Sequence, residues 1–434
     1  MQQPALEQGR HQPCQRLGQA GAVEQPTQHE GAGADDVDPA GVHGSQARAL
    51  VVAVDTDRLF RTLRIRDRAV SYIAEQDKQS ASWLGLQAYL DGVNQYQDSR
   101  PAPIEFDILG IPKRPFTAED TASIAGYLAY SFAAAFRTEP ILTYVRDQLG
   151  TDYLKIFDLD WHPEGVTQSP KLADNDWRAL NQLARISHAA LQSAGLPQYE
   201  GSNAWVIAGS RTQSGKPLLA GDPHISFAVP SVWYEAQLST PDRQLYGHHQ
   251  ALNPFAMLGH NQQMGWSLTM FQNDDLDLIA EKINPDNPQQ VWYQGKWVDL
   301  ETREELIQVK GAEPVKLTLR SSPHGPIIND ALGESIAASK TPIAMWWAFL
   351  ETPNPILNGF YELNHASDVQ SATKAVEQIQ SPGLNVLWAS ASGDIAWWAS
   401  ARLPIRPDGV NPAFILNGST SQADKLGFYP FSDN

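Results

Sequence analysis

The chain has 434 residues, 42% of them hydrophobic and 19% charged, with a formal net charge of -17. That length and balance suit two or three ordinary domains, or a single large bipartite domain, with a sizeable core. No Lys/Arg run is present to neutralise phosphates, which excludes a nucleic-acid partner; the single cysteine, Cys14, excludes an intrachain disulfide; and no apolar run reaches the ~18 residues of a membrane-spanning helix.

Residues 1–54 are rich in Gln, Gly, Ala and His and carry no helical or strand period, which reads as a disordered tail or a start in the wrong reading frame. They also lack the basic start and apolar stretch of a signal peptide. Residues 55–175 read as helical. Leu59, Phe60 and Leu63 open one apolar stripe, and Trp83, Leu86, Tyr89, Leu90 and Val93 form another at three- and four-residue spacing. Thr117 followed by Asp120 resembles a capping box, and Ile124, Leu128, Phe132 and Phe136 continue one helical face. Pro140 is expected at the first position of a further helix and Gly150 at a helix end. Residues 176–201 read as a spacer with one helical stretch near Trp177–Leu191, broken by Gly195, Pro197 and Gly201. From Ser202 to Asn434 short runs such as Trp205–Ala208 and Ile307–Lys310 alternate with Gly, Pro, Asn and Asp, the texture of many short strands, with a helix near Val369–Ile379. Helices first and strands second predict an α+β fold.

Several chemistries are missing their signatures. There is no HExxH, paired CxxC, GxGxxG or GxSxG, and Gly209–Lys216 has the wrong spacing for a P-loop, so no organic cofactor is expected. Ser371 and Lys374 fit the short SxxK pattern, but a match of that length arises by chance. Gly201-Ser202-Asn203-Ala204-Trp205, read alone, is a tight turn entering a strand. A sharper reading is chemical. A serine hydroxyl is a weak nucleophile and needs a base. A serine at a chain terminus carries its own, since an α-amine has a pKa of roughly 7.7–8.0. Such a serine must first be exposed by cutting the bond before it, and glycine tolerates the backbone strain that cut requires.

The ordered motifs resemble the penicillin acylase family of N-terminal nucleophile hydrolases, which includes cephalosporin and acyl-homoserine-lactone acylases. They are Gly201–Trp205, Asp222-Pro223-His224, Gly259-His260-Asn261 with Gly265-Trp266, Asn273–Asp277, Pro323–Pro326, and Asn385 followed by Gly393-Asp394. Upstream, Asp57–Leu59, Gly92–Asn94, Pro103–Glu105 and Thr117–Asp120 resemble the family's helical first chain. The resemblance runs from about Asp55 to the end. It implies the αββα sandwich of that family, with a helical α chain and a strand-rich β chain cut from one precursor. It implies Ser202 as nucleophile, Asn385 and the backbone N–H of Met270 as oxyanion donors, His224 as the residue orienting the terminal amine, and Arg406 near the site mouth. His at position 224 matches cephalosporin- and lactone-type members, whereas penicillin G acylases carry Gln. It further implies a structural Ca²⁺ held by Glu139, Asp274, the carbonyl of Leu276 and Asp277, and a periplasmic or secreted location. Without the resemblance, Asn385 caps a turn after Pro382-Gly383, His224 is a turn histidine, and the Asp274–Asp277 stretch is a solvated turn. His260, Asn261 and His324 read as structural.

Two departures are expected to matter. The family's signal peptide and opening segment are not visible in residues 1–54. The chain also stops at Asn434, shortly after Phe428–Phe431, where the family continues, so the strand-rich region reads as truncated. The expected activity is hydrolysis of a small linear, non-peptide amide, with an apolar acyl group lying against Ile225 and Phe227. The alternatives are an inactive remnant of the acylase fold and a carbohydrate-binding module, for which 13 Trp and 13 Tyr would supply stacking surfaces.

Overall fold

The computed structural model describes residues 53–109, 111–133, 135–157, 170–193, 199–225, 231–241, 243–336, 340–351 and 353–433. The reading of residues 1–54 therefore lies outside the described residues, save the last two, which open the first helix. The helical region comprises α1 (53–62), α2 (Ile65–Glu75), α3 (Ala81–Asp98), α4 (Ile104–Leu109), α5 (Ala118–Phe132), α6 (Ala135–Tyr144) and α7 (Asp174–Ser193). Local chemistry sets these boundaries. Ser80 Oγ accepts from the N–H of Trp83 at 3.2 Å to start α3, whose Leu86 and Leu90 face inward. Asp120 accepts from the Thr117 N–H at 2.8 Å to start α5 and grips Arg114 with both oxygens, which holds its carboxyl below the usual range.

Two expectations shift. Phe136 does not extend the α5 face: Ala133 turns to extended backbone, and Phe136 belongs to α6. Pro140 lies inside α6 and not at its first position, so the carbonyl of Phe136 lacks its helical donor. The helical stretch expected near Trp177–Leu191 is α7, an amphipathic helix that buries Leu180, Leu183 and Leu191. Gly150 does end a helical turn, at φ 105.

The strands are β1 (Tyr199–Ile207), β2 (Leu218–Ile225), β3 (Trp233–Thr240), β4 (Arg243–Gln250), β5 (Leu258–Asn261), β6 (Met264–Met270), β7 (Leu276–Ala280), β8 (Ile283–Asn284), β9 (Asn287–Tyr293), β10 (Lys296–Asp299), β11 (Glu301–Ile307), β12 (Val315–Ser322), β13 (Gly325–Pro326), β14 (Ile343–Trp347), β15 (Leu384–Ser390), β16 (Ile395–Ser400) and β17 (Leu416–Asn417). Helices α8 (Ala348–Glu351), α9 (Ile356–His365) and α10 (Val369–Val376) fall between β14 and β15. The fold is α+β, as expected.

A six-stranded antiparallel sheet, ordered β16-β15-β6-β5-β4-β3, is the platform. Its strands alternate. Met264, Trp266 and Leu268 of β6, with Leu384, Val386 and Trp388 of β15, point into a core closed by α3, α5, α9 and α10. Ser267, Thr269 and Asn385 point the other way. The β1–β2 hairpin lies across that second face, against β6 and β15. The order of layers is thus helices, sheet, hairpin. A second core joins α1, α5 and α7 to β7 and β14 through Leu59, Tyr130, Leu183, Leu278 and Trp347.

The hairpin sits down on the sheet because Gly221 has no side chain. A Cβ there would stand 1.8 Å from Ser267 Oγ and 2.8 Å from Ser267 Cβ. Gly221→Ala is expected to cost about 1–3 kcal/mol of stability by overpacking, and Ser267→Gly in the same chain to recover most of it. Urea unfolding of the single and double variants checks this, and an additive double variant would place the strain elsewhere.

Candidate active site

Hairpin pairing brings the first motif together. Gly201 pairs with His224, Ser202 with Pro223, and Asn203 with Asp222. Ser202 Oγ accepts a hydrogen bond from the backbone N–H of Met270 at 3.3 Å. Met270 is the last residue of β6, and its register partner Leu384 precedes Asn385 on β15. Asn385 Nδ2 donates to the Met270 carbonyl at 3.1 Å. A strand end, a neighbouring strand and the hairpin thus bring Ser202, Met270 and Asn385 to one place. Among the described residues no imidazole or carboxylate hydrogen-bonds Ser202 Oγ, so no side-chain base is in place to activate it.

His224 lies beside the Gly201–Ser202 junction: a Cβ on Gly201 would be 3.4 Å from its Nδ1. Its Nε2 meets Asp222 Oδ2 at 3.1 Å and Asn203 Nδ2 at 3.2 Å, and Asp222 Oδ1 accepts from the Asn203 N–H at 3.2 Å. The hydrogen bond from His224 holds the Asp222 carboxyl below its ordinary value. Ile225 ends β2, half-buried; Phe227 lies outside the described residues.

The motif reading overlooked Trp397. Its Nε1 donates to Asn385 Oδ1 at 3.0 Å, which fixes the amide with Nδ2 toward Met270. The signal was present in principle. In the β15–β16 ladder Asn385 opposes Ala399 and Leu387 opposes Trp397, so Trp397 is the diagonal neighbour of Asn385 on the same face.

Other predicted residues have partners of their own. Arg406 grips Asp277 with two bonds of 2.9 and 3.0 Å and donates to the Asp274 carbonyl at 2.8 Å; it makes no hydrogen bond to Ser202, Met270 or Asn385. Asn261 fastens the chain by donating to the carbonyls of Asn364 and Ala366 and accepting from the N–H groups of Gln263 and Met264. His324 is buried against Glu281 at 2.9 Å, a structural pair. Ser371 belongs to the capping box of α10, which disposes of the SxxK reading.

The expected calcium ligands lie on α6 and on and just before β7. Glu139 Oε2 accepts from the Leu278 N–H at 2.8 Å, Leu276 opens β7, and Asp277 follows it, fully buried. Both oxygens of Asp277 are nevertheless held by cations, Arg406 and, at 2.9 Å, Lys425 Nζ. As placed, these residues do not fit a calcium ion, which needs those oxygens for itself; among the described residues no three carboxylate or imidazole groups are arranged around a metal position.

The sequence model of the penicillin amidase family matches residues 31–434, beginning upstream of Asp55. The chain is 27% identical over 372 residues to the acyl-homoserine lactone acylase QuiP of Pseudomonas aeruginosa and 30% identical over 375 residues to a QuiP acylase of Pseudomonas fluorescens. Those alignments take in 82% of this chain and 43% and 44% of the relatives, so the chain spans under half their length. Penicillin G acylase of Escherichia coli is 26% identical over 235 residues, 54% of this chain and 27% of that protein. A thermostable penicillin G acylase from Alcaligenes faecalis of known structure gives a TM-score of 0.48 at 22% identity, over 53% of this chain and 40% of that one.

Asp275, buried beside this cluster, accepts from Ser381 Oγ at 3.3 Å, and burial pushes its carboxyl from 3.8 up to about 6. A carboxyl whose folded pKa is raised destabilises the fold as pH climbs from the unfolded value through the folded one, here by about 3 kcal/mol above pH 6. Asp275→Asn should therefore stabilise the protein at pH 8 and leave it unchanged near pH 4. Denaturant midpoints at the two pH values measure this; an equal effect at both would rule out titration as its source.

Proposed function

The chain belongs to the penicillin amidase family, and we propose that its protein hydrolyses a linear non-peptide amide by acyl transfer to Ser202 after self-cleavage at Gly201–Ser202. The observation that carries this reading is the Met270 N–H facing Ser202 Oγ at 3.3 Å, with Asn385 beside it and no side-chain base on the hydroxyl.

Maturation comes first. Ser202 Oγ attacks the Gly201 carbonyl carbon, the C–N bond breaks with the proton passing to the Ser202 nitrogen, and an ester replaces the amide. Water hydrolyses that ester, leaving a carboxyl on Gly201 and a free α-amine on Ser202, and hence two chains from one. The α-amine then takes the Oγ proton, directly or through a water, as its pKa of roughly 7.7–8.0 permits. Oγ attacks the substrate carbonyl. The oxyanion that develops is met by the Met270 N–H and the second Nδ2 proton of Asn385. The substrate amine departs with the proton, and water releases the acid and restores Oγ–H. His224, tied through Asn203 and Asp222, flanks the terminal amine and orients it.

The relatives lend support to one substrate class. Acyl-homoserine lactone acylases align with 82% of this chain and penicillin G acylase with 54%, at similar identity. We therefore favour an amide joining an apolar acyl chain to a compact polar amine over a β-lactam.

Ser202→Ala should abolish both cleavage and turnover. A denaturing gel with N-terminal sequencing reads the first, and release of free amine from an acyl-homoserine lactone the second. Turnover that persists in the variant, or a wild-type protein that is active while uncut, would sink the proposal. Trp397→Phe should cleave normally but lose about 10–100-fold in kcat with KM little changed, since one oxyanion donor is left free to rotate. A change confined to KM would make Trp397 a substrate contact instead.

A further inference from the structure

We propose that in this chain Arg406 and Lys425 take the place of the structural calcium that the acidic cluster suggests, so that the cluster is closed by the protein's own cations and needs no metal. The cluster is built on β7. All five of its residues are buried, and Asp277 is its one charged side chain, at the centre of the sheet ordered β14-β7-β17. A carboxylate at such a place must be paired. It is paired twice. Arg406 presents a fork, Nε to Oδ2 at 3.0 Å and Nη2 to Oδ1 at 2.9 Å, and Lys425 Nζ lies 2.9 Å from Oδ2. Both cations are nearly buried, and each is fixed by a further contact. Arg406 donates to the Asp274 carbonyl at 2.8 Å; Lys425 donates to the Ala423 carbonyl at 3.1 Å and lies over the Trp346 ring at 4.8 Å.

Two positive charges beside two aspartates and Glu139 match what one divalent ion would supply, and they occupy both oxygens of Asp277. A calcium ion added here would face a guanidinium and an ammonium at contact distance. One feature points the other way: Glu139 Oε1 is buried without a hydrogen-bond partner. Its other oxygen, Oε2, is held by the Leu278 N–H at 2.8 Å. Arg406 and Lys425 both come from the segment after β16, whose β17 pairs in parallel with β7. The two ion pairs therefore clip that segment to β7, while Glu139 ties α6 to the same strand through Leu278.

This inference does not depend on the proposed reaction. Its test is the thermal midpoint of the intact chain in chelator and in added CaCl₂, with calcium titrated calorimetrically. The wild-type midpoint should not move and no saturable calcium binding should appear; a midpoint that falls in chelator, or a saturable calcium isotherm, overturns the proposal. Lys425→Met should lower the midpoint by several degrees while Lys425→Arg keeps most of it. Equal losses in both variants would mean that shape and not charge matters at this position, which also overturns it. Should Lys425→Met fail to fold, the chelator and calcium measurements on the wild-type chain decide alone.

Discussion

Gly221 of β2 lies so close to Ser267 of β6 that not even a methyl group fits between them. That contact seats the β1–β2 hairpin on the six-stranded sheet, and the position of Ser202 follows from it. Met270 ends the same strand that carries Ser267, and its N–H meets Ser202 Oγ. Asn385 occupies the same face of the adjoining strand because its neighbours Leu384 and Val386 are drawn into the helical core. Slipping β15 by one residue would turn Asn385 into that core and put Leu384 in its place, so burial on one face fixes the polar face opposite.

The elements of the site visible in the sequence are those whose role depends on the backbone or on an ordered motif. Gly201–Ser202, His224, Met270 and Asn385 all fall in one neighbourhood, and the α+β class was legible from the change in period near Ser202. What escaped were partners selected by register and by chain return. Trp397 matters only because the β15–β16 ladder makes it diagonal to Asn385. Lys425 sits in irregular chain, with no period to mark it, and reaches Asp277 from far along the sequence. Helix boundaries failed for a different reason. Phe136 continues the spacing of Ile124, Leu128 and Phe132, but spacing cannot report that Ala133 leaves helical geometry between them. Pro140 is tolerated within α6 because packing against α7 and β7 outweighs the missing backbone bond.

Arg406 shows where a guanidinium settles among buried carboxylates. A guanidinium near a cluster of buried carboxylates is drawn to the most desolvated of them, and Asp277 is fully buried where Asp274 is half exposed. The fork closed on Asp277 commits Nε and Nη2 of Arg406. The same fork joins the segment after β16 to β7, and Glu139 ties α6 to that strand separately, through the Leu278 N–H.

β1 begins at Tyr199, so the Gly201–Ser202 bond lies within a strand and not in a loop before it. Parting the backbone there would make Ser202 the last rung of a ladder that still runs from Ser202–Pro223 to Ile207–Leu218. Last rungs fray. The rung beneath is Asn203–Asp222, reinforced by the bond from the Asn203 N–H to Asp222 Oδ1 and by the shared histidine His224. The steadiness of a terminal serine would therefore be decided one residue further in, by an amide and a carboxylate.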